Sequence, residues 1–175
     1  MHRIHPARKR WIATTFALVA LALSIPGYAK VLHEERSVYT RIIVEDERNL
    51  RCLKFTLVRE NSRQTCMDRN NPQRLVFDYA KMTLSALLLK PDPERILIIG
   101  LGGGTLPMAL RDILPSAVID TVEIDEAVVR VAKRFFDFAE DDQNRVYVQD
   151  ARVFGKRAAL RGEQYDLIIL DAFDG

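Results

Sequence analysis

Arg95-Ile-Leu-Ile-Ile-Gly-Leu-Gly-Gly-Gly-Thr105, followed by Val122-Glu123-Ile124-Asp125, is the stretch whose reading decides the fold. An apolar strand runs into a glycine-rich turn, and a carboxylate follows 19 residues beyond Gly104, at the end of a second strand. A Rossmann-type sheet holds a nucleoside in this order: glycines let the backbone approach the ligand, and the acid accepts hydrogen bonds from ribose hydroxyls.

Strands and helices alternate outward from that turn. Residues 96–99 are the first strand of the series, and a helix begins near Thr105, with Pro107 tolerated in its first turn, and ends before Pro115. Residues 118–124 form the second strand and 125–136 (DEAVVRVAKRFF) a helix. Residues 146–148 form a short third strand, 150–160 a helix and 165–170 (YDLIIL) the fourth strand. Continuous apolar strands between amphipathic helices predict a parallel sheet covered on both faces.

Upstream, residues 38–45 (VYTRIIVE), 52–58 (CLKFTLV) and 64–67 read as strands of a small antiparallel unit, with a turn at 60–62. Residues 30–36 read as a mobile link and 68–73 (DRNNPQ) as a polar loop. Residues 75–89 read as one helix, with Leu75, Tyr79, Met82, Ala86 and Leu89 at helical spacing, stopped by Pro91 and Pro93. The division is therefore a targeting segment at 1–29, a β unit at 37–70 and a nucleoside-binding domain at 75–175. A strand as apolar as Leu167–Leu170 is not expected at a bare sheet edge, so the sequence is expected to be the front part of a longer protein.

The 175 residues suffice for one domain with a sizeable core, and 48% apolar with 29% charged residues is ordinary globular composition. The net charge of +2 misleads, because residues 1–29 hold Arg3, Arg8, Lys9 and Arg10 and no acid. Setting them aside from 26 basic and 24 acidic residues leaves 22 against 24, or −2. With no basic tract in the body, nucleic acid is not the expected partner. That first segment has a basic start, an apolar stretch at 11–26 (WIATTFALVALALSIP) and a small-x-small pattern at Gly27-Tyr28-Ala29. It reads as a signal peptide, with an uncleaved anchor or a misassigned start as alternatives. The protein is then exported or membrane-anchored, touching a membrane only through residues 11–27 if uncleaved, and cytoplasmic if the segment misleads. Cys52 and Cys66, the only cysteines, either pair in an oxidising compartment or remain buried thiols. Their spacing is not that of a metal site, and no metal is expected.

Chemistry is expected at the strand ends. Gly100, Gly102 and Gly104 form the turn against the ligand, and Glu123 is the ribose candidate. Asp125 reads more readily as a helix cap. Asp150, after the third strand, can accept a hydrogen bond from the exocyclic amine of adenine and also cap the next helix. Asp171 and Asp174 lie where open α/β sheets bind ligands and could hold a cationic amine and accept its proton. There is no cysteine nucleophile and no Ser/His/Asp order, and His2, His5 and His33 lie in or beside the targeting segment.

These stretches (ILIIGLGGGTLP, TVEIDEAVV, VYVQDARVF and YDLIILDAFDG) resemble the spermidine synthase family of polyamine aminopropyltransferases, in particular its divergent spermidine-synthase-like group. The resemblance runs from about residue 37 to 175. It implies a Rossmann-like fold of the class I S-adenosylmethionine-dependent methyltransferase type, preceded by a small β domain. It also implies aminopropyl transfer from decarboxylated S-adenosylmethionine to a diamine or polyamine such as putrescine, releasing methylthioadenosine. In that scheme Glu123 binds ribose, Asp150 binds adenine, Asp171 deprotonates the attacking amine and Asp174 holds it. Tyr79 lies near the amine, and Gln64 loosely matches a glutamine of the β domain. Gly103 stands where the family usually has an aspartate that helps bind the aminopropyl end. Tyr79-Ala80-Lys81 replaces Tyr-His-Glu, and Thr40 replaces a glutamine. The alternatives are an S-adenosylmethionine-dependent methyltransferase or a transferase for another amine, and a non-catalytic nucleoside-binding protein. A homodimer is left open.

Overall fold

The computed structural model describes residues 29–57 and 60–172. Residues 1–28 of the targeting segment read at 1–29, and Asp174, lie outside the described residues. An antiparallel meander comes first, in the order β1-β2-β3-β4-β5: β1 (Lys30–Arg36), β2 (Arg41–Glu47), β3 (Leu50–Leu57), β4 (Glu60–Asp68) and β5 (Asn71–Leu75). Helix α1 (Asp78–Thr83) and a 3-10 turn (Leu84–Leu88) lead into the parallel part. This consists of β6 (Arg95–Ile99), α2 (Thr105–Ile113), β7 (Val118–Glu123), α3 (Glu126–Phe135), β8 (Asn144–Val148), α4 (Ala151–Leu160) and β9 (Leu167–Leu170). The expected Rossmann-like parallel sheet is present, in the order β8-β7-β6-β9, with an antiparallel unit before it.

The elements follow from alternation of side chains across the sheet. Ile96, Ile98 and Ile119 pack on one face with Leu106 and Leu110 of α2, while Leu97 and Val122 pack on the other with Phe154 and Ala158 of α4. The antiparallel sheet sits on α3: Ile42, Val44, Leu53 and Met67 share a core with Ala127, Val128, Val131 and Phe136. This contact fixes the β unit above the carboxyl ends of the parallel strands. Asp120, 1% exposed on β7, accepts hydrogen bonds from Arg95 (3.1 Å), Arg145 (2.9 Å) and the Tyr165 hydroxyl (3.0 Å), tying three segments together.

The upstream readings need correction in four places. Residues 30–36 are not a link but β1, an edge strand whose polar composition reflects its solvated side; Glu34 pairs with Arg41 on β2. The turn read at 60–62 is the start of β4. The loop at 68–73 is a short turn followed by β5, again an edge strand rich in polar residues. The helix read at 75–89 begins only at Asp78 and tightens to a 3-10 turn at Leu84. There Thr83 donates to the carbonyl of Tyr79 (3.0 Å) and Ser85 to that of Met82 (2.6 Å), side-chain bonds that compete with helix propagation. Cys52 and Cys66, facing each other across β3 and β4, form a disulfide. The strand not expected at a bare edge, β9, does form an edge among the described residues, with Ile168 and Leu170 exposed. No described helix is long and apolar enough to cross a membrane.

Asp120→Ala removes a charged acceptor from three donors. It is expected to lower the unfolding free energy by about 2–3 kcal/mol, read from urea denaturation.

Candidate functional site

The chain runs β6, β7, β8 outward and then returns to place β9 on the other side of β6. This reversal opens a crevice at the carboxyl ends of the strands. A cavity of about 550 Å³ lies there, walled below by the strand ends and above by Tyr39, Thr40, Phe55, Gln64 and Thr65 of the antiparallel unit. Its size suits a small organic ligand.

Gly100 begins the turn at φ +100°, donates to the carbonyl of Val122 (2.8 Å), and lies against β9: a Cβ there would stand 2.4 Å from the Asp171 carbonyl oxygen. Only glycine permits that approach. Gly102 lines the cavity, whereas Gly104 stands behind it against Phe138 and caps α2 in a left-handed conformation. At Gly103 a Cβ would meet the Thr65 methyl at 2.8 Å and the Phe136 ring at 3.0 Å. The Gly103 N–H donates to Thr65 Oγ1 at 3.1 Å, a direct bond from the β unit to the turn.

Glu123 ends β7. One of its carboxylate oxygens accepts from Leu101 N–H and the other from Asp125 N–H, each at 3.0 Å, so it is held by the turn on one side and the start of α3 on the other. Burial raises its pKa, and those amides oppose the rise. Asp125 caps α3 by accepting from Ala127 N–H at 2.9 Å. It also lines the cavity, as does Thr40; Asp125 Oδ2 and Thr40 Oγ1 are buried with no hydrogen-bond partner within the described residues. Such atoms call for a partner, and a ligand hydroxyl or amine could supply it.

Asp150 caps α4, accepting from Arg152 N–H (2.8 Å) and Val153 N–H (3.2 Å), and lines the far end of the cavity. At the near end, Asp171 continues β9, with its N–H on the Ile99 carbonyl at 2.8 Å. Desolvation pushes its pKa up to about 6, and a hydrogen bond from Tyr79 partly opposes this. The Tyr79 phenol is pushed up to about 12 by burial and by the Asp171 charge, and it also approaches the Gln64 carbonyl at 3.4 Å. Gln64, Tyr79, Glu123, Asp150 and Asp171 thus line one cavity, as do Gly100 and Gly102. Thr65 and Arg152 also line it and were not foreseen. Thr65 is flagged only by its adjacency to Gln64, and Arg152 carries no signal in the sequence. No group of three or more His, Cys, Asp or Glu residues among those described is disposed for a metal.

The family profile described as Spermine/spermidine synthase domain matches residues 77–175, more than half of the sequence. The chain belongs to the spermine/spermidine synthase family. It is similar to the polyamine aminopropyltransferase of Vibrio vulnificus, with 46% identity over 168 residues, covering 94% of this chain and 56% of that protein. Among solved structures it resembles a probable spermidine synthase from Corynebacterium glutamicum, with 21% identity, a TM-score of 0.64, and 82% and 52% of the two chains covered. That likeness is one of fold. It also resembles human Methyltransferase-like protein 13 in complex with SAH, with 32% identity, a TM-score of 0.52, and 57% and 49% covered. The chain spans about half the length of these relatives.

Gly100→Ala is expected to destabilise the fold by at least ~2 kcal/mol, because it combines a left-handed backbone with a backbone clash. Gly155→Ala, in α4 with open space around the added Cβ, is expected to stabilise by about 0.5–1 kcal/mol. Thermal or urea unfolding of the two variants reads both.

Proposed function

We propose that the protein transfers an aminopropyl group from decarboxylated S-adenosylmethionine to a small diamine or polyamine such as putrescine. The observation that carries this reading is the convergence of Glu123, Asp150, Asp171 and Tyr79 on one cavity in a chain of this family. In the proposed arrangement Glu123 accepts the ribose hydroxyls, the Gly100–Gly102 turn lies against the nucleoside, and Asp150 takes the adenine amine. The remaining length of the cavity, toward Gln64, Tyr79 and Asp171, receives the donor's three-carbon tail and the incoming amine. Asp174, outside the described residues, is proposed to hold the amine.

The amine arrives as an ammonium and must lose a proton to become a nucleophile. Asp171 is proposed as the base: its pKa of about 6 leaves it ionised at neutral pH yet able to accept a proton. The neutral amine attacks the aminopropyl carbon next to the sulfonium, the carbon–sulfur bond breaks, and its electrons stay with sulfur in methylthioadenosine. The sulfonium is already a good leaving group, so positioning and charge removal are the protein's main contributions.

A methyltransferase using intact S-adenosylmethionine is the second reading, supported by the resemblance to Methyltransferase-like protein 13 and by Gly103. Against it, Arg152 is the one basic residue among those described that lines the cavity, and it sits beside Asp150 at the end assigned to the base. The end toward Asp171 offers no cation to a donor carboxylate among the described residues.

Incubation with putrescine and each donor, followed by mass spectrometry, tests the proposal. Methylthioadenosine and an aminopropylated amine are expected, whereas a methylated acceptor and S-adenosylhomocysteine would contradict it. Asp171→Asn is expected to lower kcat by about 100-fold or more. Activity should rise with pH as Asp171 ionises, so kcat/KM should fall below about pH 6. Tyr79→Phe removes a hydrogen bond that favours the ionised carboxylate, and should therefore move this acid limb to higher pH. An unmoved limb would remove Asp171 from the base role.

A further inference from the structure

Asp150 does two structural jobs at once, capping a helix and pairing with an arginine. Its Oδ1 caps α4 through the N–H groups of Arg152 and Val153. Its Oδ2 accepts from the Arg152 guanidinium at 2.8 Å, while Arg152 Nε reaches Oδ1 at 3.3 Å. The oxygen left over from capping, which is the one a ligand amine needs, is therefore shared with the guanidinium. The Arg152 side chain is 92% exposed and that of Asp150 28% exposed, and both residues line the large cavity. Apart from Asp150, no side chain among the described residues bonds the guanidinium, so only this one exposed contact holds the arginine over the carboxylate.

We infer that Arg152 is a specificity-determining latch on the nucleobase subsite: it bonds Asp150 Oδ2, and a base carrying an exocyclic amine must compete with it for that oxygen. This rests on the reading of Asp150 as the adenine contact given above. The exocyclic amine of a base exchanges with the guanidinium one hydrogen bond for another, so part of the selectivity for an amino-bearing base is spent on moving the arginine. A base without that amine has nothing to offer Oδ2 and leaves the pair in place. Exposed ion pairs are weak, so the latch lowers affinity without closing the site.

Calorimetric titration with methylthioadenosine and with its analogue lacking the 6-amino group tests this in wild-type and Arg152→Ala protein. Alanine is a good helix former, and the position is exposed in the first turn of α4, so the variant keeps the fold; circular dichroism verifies this. The expected result is that Arg152→Ala binds methylthioadenosine about two- to fivefold more tightly and binds the deamino analogue as the wild type does. Equal tightening of both ligands, no change in either, or weaker binding of methylthioadenosine would overturn the latch; weaker binding of both would mark the arginine as a direct contact to the base. Wild-type protein that binds neither ligand would instead overturn the nucleoside reading, and the latch with it.

Discussion

The turn at Gly100–Gly104 is closely packed everywhere except toward the cavity. An added Cβ would stand 2.4 Å from the Asp171 carbonyl at Gly100, 2.6 Å from the Thr65 hydroxyl at Gly102, 2.8 Å from the Thr65 methyl at Gly103 and 2.4 Å from the Phe138 ring at Gly104. Three pieces of chain that are distant in sequence therefore meet on the glycines of one turn. The end of β9 can lie beside β6, β4 can reach down onto the parallel sheet, and α3 with its following loop can close behind, because the turn takes up no room. The cavity is what remains between these contacts. Its position at the strand ends follows from the sheet order, but its walls follow from how closely the turn is packed.

Charge is distributed around that turn by the same geometry. Glu123 and Asp171 end the two strands that flank β6, so the acid assigned to ribose and the acid assigned to the amine are kept apart by the turn itself. Glu123 is held between two backbone amides and cannot reorient without losing them, which suits a fixed hydrogen-bond acceptor. Among the described residues Asp171 has only the Tyr79 hydroxyl to favour its charged form, and it sits at a pKa of about 6, which suits a group that changes protonation. Thr65, bonded to Gly103, presents a neutral hydroxyl where the turn has no space for a charged side chain.

The parallel half was legible in the sequence because buried strands are uninterrupted apolar runs and their helices carry a clear period; the β6, β7 and α4 boundaries differ by a residue or so from the expectation. The antiparallel half was less legible at its edges. β1 and β5 each pair on one side only, so their residues are polar and read as linker or loop. The helix expected at 75–89 was misread because the stripe that carried it is not the buried face: Met82 and Leu89 are exposed, while Leu84 and Leu87 pack on the core from a 3-10 turn. Side chains at the site divided in the same way. Carboxylates at strand ends stand out in a sequence, whereas Thr65 and Arg152 matter through contacts with Gly103 and Asp150 that only the fold brings about.

The central claim is that the cavity above Gly100–Gly102 is a nucleoside site. A crystal structure of the protein soaked with methylthioadenosine tests it most directly. The account predicts ribose hydroxyls on Glu123, the base amine at Asp150, and the methylthio sulfur directed toward Tyr79 and Asp171. A nucleoside bound instead in the smaller cleft of about 250 Å³ between Pro72 and Asn144, or absent from the protein at saturating concentration, would contradict it.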